Sequence, residues 1–160
     1  MDTKTVRNAL ITQLKADADI LTEFIVPPAS AANIDYGISR DVGPSMLPKS
    51  IRVVQLGRGR SENDAEIDAE FGGEYQGVWE NYRFHVVAVF AESDAKKAED
   101  TESTHDRLIR KAITKDYSLG NVVTDLSMGR TFYRTHPERD GIHFVIIETS
   151  ARKLVNASVR

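Results

Sequence analysis

Four histidines are the side chains of this sequence best suited to bind a metal ion or to transfer protons near neutral pH. No two of them have the i, i+4 spacing that places two metal ligands on one side of a helix. Two of them could meet across neighbouring strands close to Glu148, but simple packing of such a pair is the more common arrangement. We therefore predict no metal site and no catalytic residue from this set, which comprises His85, His105, His136 and His143, with the first and last forming the possible pair.

A run of acidic residues is the second group with possible chemistry. It lies within "GRGRSENDAEIDAEFGGEYQG" at 57–77, where glycines occur at both ends. The spacing of its carboxylates resembles a calcium loop only faintly, because the following glycine and the distal glutamate of such a loop are missing. The opening "GRGR" leads into acidic residues and not into a helix, so a phosphate-binding loop is not predicted either. We interpret 58–77 as a long acidic loop or hairpin insertion with a solvated charge run, and we predict no cofactor.

Composition limits the classes of function. The chain has 160 residues, a net charge of −3 and no cysteine, which indicates one globular domain over 1–160 that folds in a reducing compartment. Because the chain has no excess of positive charge to bind phosphates, a role in coating DNA is disfavoured. The sequence has no apolar run long enough to cross a bilayer and no secretory signal at its start, so we expect a soluble protein made inside the cell, with no membrane partner.

The periodicity of apolar residues predicts helices and strands in a mixed order. We expect an N-terminal helix capped by Thr3, a break at 16–19 and a short edge strand at 33–38. The stretch "KSIRVVQLG" at 49–57 predicts a strand that ends at the Gly57–Gly59 pair. A strand over 78–91 leads into a helix that begins at Ser93 or Asp94 and ends near 114. Strands at 121–135 and 141–155 complete the domain. The predicted fold is α+β, a mostly antiparallel sheet of four to five strands with the N-terminal helix and one long helix packed on it.

The strand "YRFHVVAVFA" at 82–91 has apolar residues on both faces. Tyr82, Phe84 and Val86 belong to one face, whereas Val87 and Val89 lie on the other. Because an antiparallel sheet usually exposes a polar face to water, the second apolar face predicts a covering partner. That partner could be another copy of the chain, or a helix of the same chain if both sheet faces carry helices.

The order of segments resembles the tail terminator, or tail completion, proteins of long-tailed bacteriophages. The matching pieces are the N-terminal helix "TVRNALITQLKADADILTEFI", the strand–loop–strand piece "NIDYGISRDVGPSMLPKSIRVVQLGRG", the strand and long helix of "ENYRFHVVAVFAESDAKKAEDTESTHDRLIRKAI", and the two closing strands. The resemblance covers most of the chain and consists of apolar patterns. It implies a ring, usually sixfold, that caps the tail tube, ends its polymerisation and offers a joining surface to the head connector, without enzymatic activity.

The resemblance also gives the singled-out residues possible roles. We expect a homo-oligomer in the tail or neck of a virion, assembled in the host cytoplasm, with tail tube and head–tail connector proteins as partners and DNA only passing through its lumen. The candidates for subunit contacts are Trp79, Tyr82, Val87, Val89, Arg130, Arg134 and Arg152. The candidates for a loop that faces the tube, the connector or the lumen are Arg58, Arg60, Glu62, Asp64, Glu66, Asp68 and Glu70.

Two other functions fit the same sequence. One is a different neck or head-completion adaptor that stays monomeric. The other, less favoured, is a small metal-dependent hydrolase in which Asp64 or Asp68 would bind the metal ion.

Overall fold

The first helix forms where the apolar stripe predicts it. The computed structural model describes residues 2–24, 34–36, 49–61 and 77–156, and helix α1 spans Thr3–Lys15. Its buried stripe includes Val6, Leu10 and Leu14. The cap is Asp2, whose carboxylate accepts the Thr5 amide at 2.8 Å, and Thr3, the predicted cap, is the first helical residue. Asp2 takes this position because its side chain reaches the free amides of the first turn.

A second short helix follows the predicted break. Helix α2 spans Ala18–Phe24. Asp17 starts it, because its buried carboxylate accepts the amides of Asp19 and Ile20 at 2.9 and 3.0 Å. Lys115 bonds the other oxygen of the same carboxylate. The short helix is thereby tied to the C-terminal end of the long helix described below.

Five strands form a single sheet. They are β1 (Ile34–Tyr36), β2 (Lys49–Ser61), β3 (Gly77–Ala91), β4 (Asp125–Thr135) and β5 (Ile142–Asn156), and their order is β1-β2-β3-β5-β4. All neighbours are antiparallel except β1 and β2, which are parallel. The α+β prediction, the number of strands and the short edge strand are confirmed.

The long helix, α3, spans Ala95–Thr114 and is capped by Asp94, whose carboxylate accepts the amides of the next turn. Its buried face includes Ala98, Ile109 and Ile113. These side chains join one main core with α1, α2 and the inner face of the sheet. The apolar cluster on the opposite face of the sheet contains no residue from any of these helices. The alternative of helices on both faces is therefore wrong for the described residues.

Two strand boundaries differ from the prediction. Strand β2 continues past the Gly57–Gly59 pair to Ser61, because residues 57–61 pair with 79–83 of β3 after a bulge at Leu56. The predicted insertion at 58–77 is thus shorter at both ends, and 62–76 lie outside the described residues. Strand β4 starts at Asp125 and not at 121, since 117–124 form turns.

The turn before β4 is held by one carboxylate. Asp116 accepts the amides of Ser118 and Gly120 at 2.9 and 2.7 Å. Leu119, Gly120 and Asn121 all have positive φ, between 50° and 67°, which lies outside the β region and prevents a regular strand from starting here. In the sequence, Asp116 four residues before Gly120 was the signal for this turn.

Candidate functional site: the outer face of the sheet

No metal centre forms among the described residues, since no three histidine, aspartate or glutamate side chains there lie close enough to share an ion. Two open grooves occur in the same part of the chain, and no histidine lines either. One holds about 290 Å³ and lies beside Glu23 and Arg107. The other holds about 390 Å³ between α1 and the turn after α3, and its lining is mostly apolar.

His105 has a structural position at the centre of the helix layer. It is fully buried, and its Nε2 lies 3.0 Å from Oε1 of Glu23, to which it donates. Its ring packs on Phe24 and Phe90 at centroid distances of 4.5 and 5.1 Å. Burial lowers the pKa of His105, and nearby Lys49 acts in the same direction, whereas the Glu23 carboxylate opposes the shift. The imidazole is therefore neutral near pH 7 and links α3 to α2.

The other histidines are spread over both faces of the sheet. His143 is on the inner face, where it stacks on Phe90 and its Nε2 donates to the Glu92 carbonyl at 3.0 Å. His85 lies opposite Glu148 in the β3–β5 pairing, on the outer face. The possible pair of His85 and His143 does not form, because the register places the two side chains on opposite faces of the sheet. The fourth histidine, His136, accepts two amides of the β4–β5 turn.

The outer face carries a second apolar cluster. Val87 and Val89 of β3 are its buried members, with 1% and 6% exposure. Half-buried side chains from β2 and β5 surround them: Val54, Ile142, Phe144 and Ile146. The two valines are therefore largely covered within the chain, and the surface that remains belongs to their neighbours.

Arginines surround this cluster. Arg52 lies opposite Val87, and Arg134 lies opposite Phe144, so both share the outer face. Arg83 is on the same face of β3, and its side chain is exposed. Arg130 is exposed in the bulge of β4, next to the carboxylate of Glu148, which lies 3.4 Å from its amide. The outer face is thus apolar in the middle and positively charged at its border.

Exposed apolar surface also occurs at the end of the sheet away from the β3–α3 connection. Trp79 pairs with Leu154, and Leu154 is 43% exposed. The Arg152 guanidinium lies over the Trp79 ring at 4.7 Å and donates to Asp125 at 3.1 Å. Leu56, in the bulge of β2, is also exposed, at 47%, but it lies level with Arg83 and Phe84 in the middle of β3. We call Trp79, Arg152 and Leu154 the distal patch.

The predicted contact residues divide into two groups. Tyr82 belongs to the main core and is completely buried, with its hydroxyl donating to Glu80 at 2.5 Å. Tyr82, Val87 and Val89 consequently present almost no surface to another molecule, which corrects their choice as contact residues. Their apolar character serves the chain's own core. Four candidates keep surface on the outer side of the sheet or in the β4 bulge: Trp79, Arg130, Arg134 and Arg152.

The loop candidates are only partly described. The backbones of Arg58 and Arg60 lie in β2, opposite Tyr82 and Glu80, which corrects their placement in a loop. The five acidic candidates at 62–70 are outside the described residues.

Sequence reasoning missed the half-buried members of the outer cluster. The alternation in "IHFVII" at 142–147 puts Ile142, Phe144 and Ile146 on the face opposite Val145 and Ile147. This strand therefore has the same two-sided apolar pattern as β3, and the signal was present.

Comparisons with known proteins give similarities to solved structures and none at the level of sequence. No protein family and no curated protein matches the sequence. Among solved structures, a chain described as "Virion of native gene transfer agent (GTA) particle" is similar over 93% of this chain and 94% of that chain, with 12% sequence identity and a TM-score of 0.45. In the described part of the chain, no helix is both long and apolar enough to cross a membrane.

Proposed function

We propose that the chain is a structural subunit of a phage-like virion that forms a ring on the end of the tail tube, as a tail terminator does. The observation that carries this proposal is the one-sided packing of the sheet. All described helices cover the inner face, while the outer face combines an apolar cluster with arginines and continues into the distal patch. A surface of this composition fits contact with another protein. The proposal further rests on the order of segments, which resembles the tail terminator family.

A ring requires two different surfaces on each subunit. Contacts between unlike surfaces repeat head to tail and close if the rotation between copies permits it. The outer face and distal patch supply one surface, and a different part of the next copy must supply the other. Trp79 and Arg152 are suitable anchors, because aromatic and arginine side chains are enriched at the centres of protein interfaces.

The assembled ring would act without chemistry. It would end the tube by occupying its last exposed surface and present its other side to head–tail connector proteins, in a virion put together in the host cytoplasm. DNA would only pass through the lumen. No enzymatic step, cofactor or metal ion is part of this function.

Leu154→Glu tests the proposed contact surface. Leu154 is exposed within the chain, so a charge there leaves folding intact, but it would be buried without a partner inside a subunit contact. We expect the mass measured by light scattering, over a concentration series, to fall from that of a closed oligomer to that of a monomer. Circular dichroism should be unchanged.

Tyr117→Glu is the matched control. Tyr117 lies in the turn after α3, outside the sheet, and is 51% exposed, close to the value for Leu154. This variant should retain the oligomer. If both substitutions have the same effect on mass, or neither has any, the distal patch is not the contact surface. A wild-type chain that stays monomeric at every concentration, with or without tube protein, would favour the monomeric adaptor.

A further inference from the structure

The arginines of the outer face exceed its acidic groups. Five arginines lie on this face or in the bulge beside it: Arg52, Arg83, Arg130, Arg134 and Arg152. The acidic residues there are Asp125, which already bonds Arg152, Glu148, and Asp35 of β1, which pairs with Arg52 in the register. In the described part of the chain, the ion pairs include none formed by Arg83, Arg130 or Arg134. These three guanidinium groups can therefore take acidic partners from outside.

The apolar cluster between the arginines narrows the class of partner. Phe144 and Ile146 are half-buried and lie between Arg134 and Arg52 in the pairing of the strands. A ligand that covers this surface must bring apolar side chains as well as negative charge. An acidic peptide with apolar residues at regular intervals satisfies both requirements, whereas a nucleic acid backbone satisfies only the second.

The chain itself contains such a peptide. Residues 62–76 connect β2 to β3 and contain no lysine, arginine or histidine. Apolar or aromatic residues recur at every fourth position, as Ile67, Phe71 and Tyr75. The acidic residues between and around them are Glu62, Asp64, Glu66, Asp68, Glu70 and Glu74.

The segment cannot reach the whole face of its own chain. Both of its ends lie at the distal end of the sheet, since Ser61 pairs with Trp79. A 15-residue connection that goes out and returns extends about 25 Å at most. Arg134 of β4 lies level with Val89 of β3, because both pair with Phe144. Val89 is ten residues from Trp79 along β3, a distance of about 33 Å. The segment could reach Arg83 of its own chain, but contact with Arg134 requires the segment of a second copy.

We infer that the arginine-bordered outer face binds the acidic segment 62–76 of a neighbouring copy of the chain. This inference rests on the proposed function, because it specifies which parts of two subunits meet. The outer face supplies one of the two unlike surfaces that a ring needs, and the acidic segment supplies the other. The arginine–carboxylate contacts fix which surfaces meet and increase the rate of association.

A charge-swap pair tests the contact. One variant carries Arg83→Glu, Arg130→Glu and Arg134→Glu, and the other carries Glu66→Lys, Asp68→Lys and Glu70→Lys. Each variant alone should lose the oligomer, because like charges then face each other at every contact. In an equimolar mixture, the reversed segment of one variant faces the reversed face of the other. The mixture should therefore regain the wild-type mass.

Two results of the charge-swap experiment would contradict the inference. If each variant alone assembles as the wild type does, or if the mixture stays monomeric while both variants are folded, the inference is wrong. A wild-type ring that Leu154→Glu dissolves but the charge reversals leave intact would retain the proposed function and overturn only the docking of the segment.

A peptide makes the test independent of ring formation. A synthetic peptide of residues 62–76 should bind the monomer that carries Glu66→Lys, Asp68→Lys and Glu70→Lys, whose outer face is unchanged, with Trp79 fluorescence as the readout. Adding the three arginine reversals to this monomer should weaken binding by about tenfold or more. A peptide with the same composition in scrambled order is the control. If a single-stranded DNA oligonucleotide binds this monomer and the peptide does not, the face recognises nucleic acid and the inference fails.

Discussion

At the scale of single residues, His105 makes stability depend on pH. Its pKa is lowered in the fold, mainly by burial, and its neighbours are Glu23 from α2 and Lys49 from β2. The unfolded chain therefore takes up a proton as the pH falls through the ordinary histidine value of about 6.5, while the folded chain does not. The stability that the neutral imidazole provides is present above this value and is lost as the pH falls below it, towards the folded pKa.

We predict that the free energy of unfolding decreases more steeply between pH 7.5 and pH 5.5 in the wild type than in His105→Gln. The measurement is urea denaturation at a series of pH values. The glutamine keeps a polar group near Glu23 but cannot titrate. Equal pH dependence of the two proteins would show that His105 is not the group responsible.

Gly141 supports a turn that only a residue without a side chain fits well. It has φ of +80°, and a Cβ there would lie 3.3 Å from the Glu92 carbonyl oxygen. Gly141→Ala should therefore lower the free energy of unfolding by about 1–2 kcal/mol from backbone conformation alone, and by more because of the close oxygen. Thermal or chemical denaturation measures the loss.

Gly120 is the matched control for this substitution. Its φ is +67°, but nothing lies within 4 Å of a Cβ built on it. Gly120→Ala should cost only the backbone term. If Gly120→Ala is as destabilising as Gly141→Ala, the contact with Glu92 contributes nothing.

Residue-level prediction from sequence succeeded where a side chain acts on its own chain neighbours. The Asp94 cap follows from local backbone chemistry. The environment of His105 could not be predicted, because its partners come from three other elements that are distant in sequence. The burial of Val87 and Val89 was missed for the same reason.

At the scale of elements, one arginine joins the long helix to the edge strand. Arg110 of α3 donates to the Gly129 carbonyl at 2.8 Å and to the Thr131 hydroxyl at 2.6 Å. It also pairs with Asp106, one turn earlier on the helix, at 3.0 Å. The Gly129 carbonyl belongs to the bulge in β4, so this arginine satisfies a backbone group that the bulge leaves without a ladder partner.

We predict that Arg110→Met lowers the free energy of unfolding by about 1–3 kcal/mol, since the Gly129 carbonyl, the Thr131 hydroxyl and the Asp106 carboxylate lose a charged donor. Arg107→Met, an exposed position on the same helix, is the control and should change it by less than about 0.5 kcal/mol. Amide exchange in β4 should also increase in the Arg110 variant. Similar stabilities of the two variants would contradict the role of Arg110.

The elements themselves could largely be predicted, because helix and strand periods are local signals. The α1 stripe, the start of α3 and the four longer strands all follow from such patterns. Boundaries differed where a distant contact decides them. Strand β2 extends through its glycines since β3 is long enough to pair with it, and β4 starts late because Asp116 holds the preceding turn.

At the scale of the whole molecule, the two faces of the sheet have different roles. Its inner face, with the helices, supplies the main core and the stability of the single chain. Its outer face has a small core of its own but leaves apolar and arginine side chains at the surface. The order of strands in the sheet was not predictable, because it depends on which distant segments pair.

The proposed ring depends on the surface that remains after the chain has folded. This surface was only partly predictable: the arginines of the last strands were identified, whereas Leu154 and the half-buried residues of β5 were not. Three of the predicted contact residues turned out to be internal. The distinction between an apolar residue that closes the chain's own core and one that meets a partner requires the fold.

The most direct test is electron microscopy of the purified wild-type chain in negative stain, with two-dimensional class averages. The account predicts closed rings of uniform size with a central opening, sixfold if the resemblance to tail terminators extends to stoichiometry, and their absence in Leu154→Glu. Particles of a single chain only, at high concentration and in the presence of tail tube protein, would contradict the claim that this chain is a ring subunit.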